Sequence, residues 1–202
     1  MHISEGILPW PVLAAGAGLA AAGTFVGLKK LDYEHVPRVG VMAAAFFVVS
    51  LIHVPLPGTS VHLIGNGLAG LILGWQAFPA ILVGLFLQAL LFQFGGFTTL
   101  GVNTLDMALP AVLVGIAFRP LVSRSSSLIR IYSGGFLAGF LAVLMAGVLT
   151  ALALTLAGNE FSLQAKIIFV AHIPIMIIEG IICALCIGFL WNMKPEILGV
   201  KR

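Results

Sequence analysis

The stretch 131–157 holds no Asp, Glu, Lys or Arg, and 165–192 holds only Lys166 and Glu179. Such runs read as membrane-spanning helices, since about 20 apolar residues of helix cross a hydrocarbon core of about 30 Å. The whole chain agrees: 60% of its 202 residues are hydrophobic and 8% are charged. A water-soluble domain carries about a quarter of its residues as charges, so a soluble enzyme is excluded. The net charge of +3 is thinly spread. With no basic patch, nucleic acid is excluded as a partner. Cys183 and Cys186 lie a turn apart in an apolar run, as packing residues do.

Apolar segments read at roughly 9–28, 39–54, 60–75, 78–93, 104–119, 131–157 and 165–192. The expected fold is an all-α integral membrane bundle of about seven transmembrane helices, forming a single transmembrane domain over residues 1–202. Pro55, Pro57 and Gly58 break the chain between the second and third segments. Irregular backbone there must be buried in protein or face a polar cavity, because lipid cannot satisfy its amides. Seven spans put Lys29, Lys30, Arg38, Arg119, Arg124, Arg130, Lys194, Lys201 and Arg202 on one side and Lys166 on the other. The excess of cations marks the cytoplasmic side, so the N-terminus is expected outside and the C-terminus inside. No Lys or Arg precedes Lys29. A secretory leader would begin with a basic segment, so Met1 is expected to be the mature first residue.

Two features depart from plain apolar helix. In the first span Ala14, Gly18 and Ala22 recur every four residues, a pattern that lets another helix approach closely. Packing within the chain and docking of a partner subunit both fit it. The second feature is a set of polar groups in or beside apolar segments: His53, His62, Asn66, Gln88, Gln93, Asn103, Asp106, His172 and Glu179. Any one is explained by an interhelical hydrogen bond; together they suggest a polar pocket at the external ends of the spans. His172 and Glu179 are two helical turns apart and share a face, with Pro174 between them.

His2 adds a sharper possibility. A free amine on residue 1 and the amide nitrogen and imidazole of residue 2 can close two fused chelate rings on a metal. Three nearly coplanar nitrogens result, and one in-plane position is left for another ligand. Such sites suit Ni(II) and Cu(II), while imidazole also serves Co(II). On its own a histidine at position 2 is a weak signal. It gains force if a second histidine can reach the terminus.

Several motifs together resemble the CbiM/NikM family. They are Met1-His2-Ile3-x-Glu5-Gly6, Pro57-Gly58-Thr59-Ser60-Val61-His62-Leu63-Ile64-Gly65, Gln88-Ala89-Leu90-Leu91-Phe92 before Gly95-Gly96, Leu100-Gly101-x-Asn103 with Met107, and Ala171-His172 with Glu179. The family comprises the substrate-capture membrane subunits of energy-coupling factor transporters for cobalt and nickel. The resemblance covers nearly the whole chain. It implies that segment 1–8 inserts into the bundle and that the Met1 amine, the His2 amide and imidazole, and His62 bind the ion. His53 is implied as an alternative or supporting group. Thr59, Ser60 and Asn103 are implied to orient the imidazoles, and His172 and Glu179 to hold the terminal segment.

The resemblance further implies Ni2+ or Co2+ as transported substrate, with no tightly bound cofactor. It implies a cell-membrane location in a prokaryote and, through cobalt, a link to cobalamin biosynthesis. The chain contains no Gly-Lys dipeptide and hence no phosphate-binding loop of the Gly-x-x-x-x-Gly-Lys-Ser/Thr kind. ATP hydrolysis is therefore expected on partners: two ATPase subunits, joined by a transmembrane coupling subunit and in many cobalt systems a small accessory membrane protein. A membrane metal-binding or sensing protein without transport activity is the alternative. An intramembrane enzyme is disfavoured, because no nucleophile with a matched base is apparent.

Overall fold

The structure, a computed structural model, describes residues 2–56, 59–123 and 127–200, with only the backbone described along 53–61. The helices are α1 (Trp10–Lys29), α2 (Val36–Ser50), α3 (Asn66–Leu73), α4 (Ala77–Phe92), α5 (Leu100–Ser123), α6 (Leu128–Ala157) and α7 (Ser162–Met193). Between α2 and α3 lies a hairpin of β1 (His53–Leu56) and β2 (Thr59–His62), antiparallel, with His53 opposite His62. Five helical stretches among the described residues are long and apolar enough to cross a membrane, Asn66–Phe92 counting as one.

Helix boundaries follow local chemistry. Pro11 and Pro37 sit in the first turns of α1 and α2, where a missing N–H costs nothing. α6 stops at Gly158, whose φ of 151° favours glycine. α6 and α7 have 30 and 32 residues, about 45 and 48 Å of helix. Pro110, Pro120 and Pro174 lie inside α5 and α7 without ending them. Bundle packing re-satisfies the backbone that proline frees.

The expected third span, 60–75, is not one helix. Its first residues form β2, and only Asn66–Leu73 is helical, about 12 Å long. Gly65 and Gly74, at φ 68° and 58°, start and stop it. Gly74 lies beside Arg119 near the end of α5, whereas Asn66 donates toward the Met107 and Ala142 carbonyls at 3.5 and 3.3 Å. α4 then runs back, until Gly95 meets Asn103 at the start of α5. Asn66–Phe92 is thus a helical hairpin that bends at Gly74.

The core runs through α2 to α7. Gly70 admits the Ala111 carbonyl of α5 where a methyl would overlap it, so α3 can lie directly on α5. A second cluster joins Ile3 and Leu8 to Val102, Ala153, Leu154, Ala165 and Ile168. It holds the N-terminal segment against α5, α6 and α7. On α1 the small residues divide. Gly16, Ala20, Gly23 and Gly27 are buried, with Gly23 against Phe78 and Gly27 against Pro79. Ala14, Gly18 and Ala22 face outward.

Candidate metal centre

Residues 2–8 are tied down polar group by polar group. Ile3 N–H donates to Asn103 Oδ1 at 2.9 Å, and Asn103 Nδ2 donates to the Ile3 carbonyl at 3.1 Å. The same Nδ2 lies 3.2 Å from Thr99 Oγ1. Two residues on, Glu5 N–H donates to the Gly95 carbonyl at 3.2 Å, and Thr98 N–H donates to Glu5 Oε1 at 3.0 Å. The Thr98 N–H, set against a smaller opposing effect of burial, holds the Glu5 carboxyl below its ordinary value. The segment Gln93–Thr99 is the cradle: Gln93 is the one described non-glycine residue at positive φ, and Gly96 at φ 140° makes room for the Glu5 side chain.

This arrangement brings His2 to His62. Both are nearly inaccessible, and their rings stack with centroids 4.6 Å apart and planes inclined by 23°. Phe94 stacks on His2, with ring centroids 6.3 Å apart. Neither histidine lines an open mouth, since both are almost wholly buried.

His62 Nδ1 lies 2.7 Å from the Leu63 carbonyl. A carbonyl only accepts, so Nδ1 carries the proton and Nε2 keeps its lone pair. Nε2 has no hydrogen-bond partner among the described residues. Beneath it, the Glu179 carboxylate accepts from Ile64 N–H and from Gly65 N–H, the latter at 2.9 and 3.0 Å to its two oxygens. Glu179 on α7 thus fixes the backbone two residues beyond His62 and sits at the positive end of α3. His172 is fully buried, with Nδ1 2.6 Å from the Ile168 carbonyl, which leaves Nε2 as its basic nitrogen.

Of the residues singled out from the sequence, His2, His62, Asn103 and Glu179 join one constellation, and His172 lies on the same helix as Glu179. His53 pairs with His62 in the strand register, and Thr59 and Ser60 lie on β2, but their side chains fall outside what is described. Met1 lies outside the described residues. Asp106 and Gln88 are engaged elsewhere: Thr150 donates to Asp106 at 3.1 Å, and Gln88 donates to Ser50. Glu5, Thr98 and Thr99 were not singled out as site residues. Their signal was a carboxylate beside an apolar N-terminus and a run of hydroxyls after paired glycines.

Among the described residues no three or more His, Cys, Asp or Glu side chains gather to hold a metal. Two imidazoles by themselves would hold a metal ion incompletely.

A family model described as cobalt uptake substrate-specific transmembrane region, CbiM, matches residues 2–197. A Haemophilus influenzae protein named for metal transport is 46% identical, over 98% of this chain and 97% of its own. The fused nickel transport protein NikMN of Rhodobacter capsulatus is 31% identical over 100% of this chain and 65% of its own. A crystal structure of a transition metal transporter superposes with a TM-score of 0.81 at 27% identity, covering 95% of this chain and 93% of that one.

Proposed function

This chain belongs to the CbiM family of cobalt uptake substrate-specific transmembrane regions, and we propose that it captures a nickel or cobalt ion between its N-terminus and His62. It is a multi-pass membrane protein of a prokaryotic transport family, and membership implies a transport role and not an enzymatic one. The observation that carries the metal reading is the buried His2–His62 stack, 4.6 Å between centroids, at the end of a pinned terminal segment.

The missing donors are then the Met1 amine and the His2 amide nitrogen. With His2 Nδ1 they close fused five- and six-membered chelate rings, and His62 Nε2 takes the fourth in-plane position once one of the stacked rings turns. Four nitrogens in a plane suit Ni(II) well, and Co(II) is served by the same imidazoles. Forming the amide–metal bond releases a proton, so affinity rises with pH.

The N-terminus is read as external and the C-terminus as cytoplasmic, with seven passages, the third made of β2 and α3. Support comes from the grouping of Lys30, Arg119 and Lys194 with the Gly74 turn and the C-terminal residues, at the end away from His2. Transport requires partners, since ATP chemistry is absent from the sequence. A coupling subunit and two ATPase subunits supply it, joined in many cobalt systems by a small accessory subunit. The fused NikMN relative supports partnering with other transporter subunits. The outward Ala14–Gly18–Ala22 face of α1 offers a partner helix close approach.

Calorimetry with Ni2+ and Co2+ tests the reading on purified protein whose first residue is verified as Met1. One residue added before Met1 removes the chelating amine from its place, and high-affinity binding is expected to vanish. Unchanged affinity in that variant would overturn the terminal chelate.

A further inference from the structure

Away from the histidine pair, a groove of about 490 Å3 opens between the end of α1, the turn at Gly74, the last turns of α5 and the C-terminal turn Pro195–Leu198. Lys30 and Arg119 line it together with Trp75, Gln76, Ile116 and Leu198. We propose that this groove binds the phosphate headgroup of an anionic phospholipid. The inference stands apart from the metal site and does not rest on it.

Charge is the first ground. Arg38 lies near enough to Arg119 for their charges to interact, so three cations crowd this end of the molecule. Among the described residues no carboxylate pairs with any of them. Glu196 faces Lys194 at 3.8 Å and Asp32 faces His35 at 3.8 Å. Like charges packed together beside a bilayer repel strongly, and a bound anion offsets that repulsion.

Geometry is the second. Lys30 Nζ sits 5.4 Å from the Trp75 ring centroid, which holds the ammonium over the groove. The Arg119 guanidinium passes between two turn glycines at positive φ, Gly74 and Gly199. A methyl at either would stand 3.9 or 3.7 Å from it. Both cations are thereby placed, where free surface cations would sweep through solvent. A planar guanidinium beside an ammonium matches the oxygens of a phosphodiester.

The groove's apolar wall decides between free phosphate and lipid. Ile116 is 58% exposed, and one turn up α5 Leu113 is 42% exposed, so apolar surface climbs from the cations along the bundle. An acyl chain lies on that surface while its phosphate meets Lys30 and Arg119. Inorganic phosphate gains nothing from it.

Native mass spectrometry of protein released from nanodiscs of mixed phosphatidylcholine and phosphatidylglycerol tests this. The natural sequence is expected to retain one phosphatidylglycerol in preference to phosphatidylcholine. Lys30→Gln should weaken that preference about fivefold, the worth of one cation near an anionic surface. Arg119→Gln should do at least as much. Should Arg119→Gln fail to fold, Lys30→Glu, which reverses the charge at an exposed position of the rim, must also abolish retention. An unchanged thermal unfolding midpoint in Lys30→Gln serves as the control for folding. Equal retention of the two lipids, a preference untouched by Lys30→Gln, or displacement of the lipid by equimolar inorganic phosphate would each overturn the proposal. In those cases the cations serve free anions or an acidic protein face instead.

Discussion

Asn103 reads both backbone groups of Ile3: its carbonyl oxygen accepts the Ile3 N–H and its amide nitrogen donates to the Ile3 carbonyl, at 2.9 and 3.1 Å. The pair stands one residue from His2, spans 100 positions of sequence and is buried. A primary amide is the side chain suited to this, since it offers a donor and an acceptor side by side. An ionised carboxylate only accepts, and a hydroxyl has to do both from a single oxygen.

Asn103→Asp keeps the acceptor and loses the donor, which leaves the Ile3 carbonyl facing an anion. Unsatisfied buried groups cost about 1–3 kcal/mol, so thermal unfolding should move down by several degrees. Calorimetric affinity for Ni2+ should fall by at least about tenfold, because the terminal segment is released. An affinity unchanged beside a lowered unfolding temperature would separate the Asn103 clamp from the metal site.

Glu179 makes a similar prediction through the other imidazole. Glu179→Gln retains one accepting oxygen but loses the charge that strengthens the bonds from Ile64 and Gly65. Glu179→Ala strands both N–H groups. The expected order of Ni2+ affinity is natural sequence, then Gln, then Ala, with about 1–3 kcal/mol of stability lost in the last. Equal affinities in all three would show that the backbone beyond His62 is held by other means.

Gly96→Ala tests the cradle. At φ 140° any side chain is strained, and the added carbon would overlap the Glu5 side chain. Amide exchange at Glu5 and Thr98 should quicken, while amides in the middle of α6 keep their protection. Ala at Gly18, where nothing lies within 4 Å, should leave exchange unaltered throughout.

The Glu5–Thr98 bond also carries a pH signature. Its carboxyl is held below the ordinary 4.5, chiefly by the Thr98 N–H. A depressed carboxyl stabilises its folded arrangement in full above 4.5, and that contribution is lost as pH falls through the lower folded value. Thr98 amide protection should therefore be flat above about pH 5 and decline below 4.5. In Glu5→Gln the decline should disappear. A decline of equal size in that variant would assign it to another group.

The long apolar runs were legible to within a few residues: 131–157 and 165–192 emerge as Leu128–Ala157 and Ser162–Met193. Their length alone commits them to helix. The segment 60–75 misled because a short apolar run serves a strand as well as a helix. Gly65 and Gly74 decide the matter through a positive φ that only the folded chain reveals. Likewise His2 and His62 could be linked by chelate chemistry and family resemblance, whereas Glu5 could not be connected to Thr98. A lone carboxylate near a terminus looks solvated until the loop 93 positions away is folded against it.

The face-to-face histidines have one more consequence. An imidazole binds through a lone pair in the plane of its ring, so two rings lying nearly parallel aim their donor edges past each other. An ion held in the plane of His2 can be reached by His62 only after one ring turns on edge. Aromatic stacking is worth about 0.5–1.5 kcal/mol, and a metal bridging the two rings would forfeit it. The stack is thus a small, reversible energy that any ion bridging the two rings would have to displace.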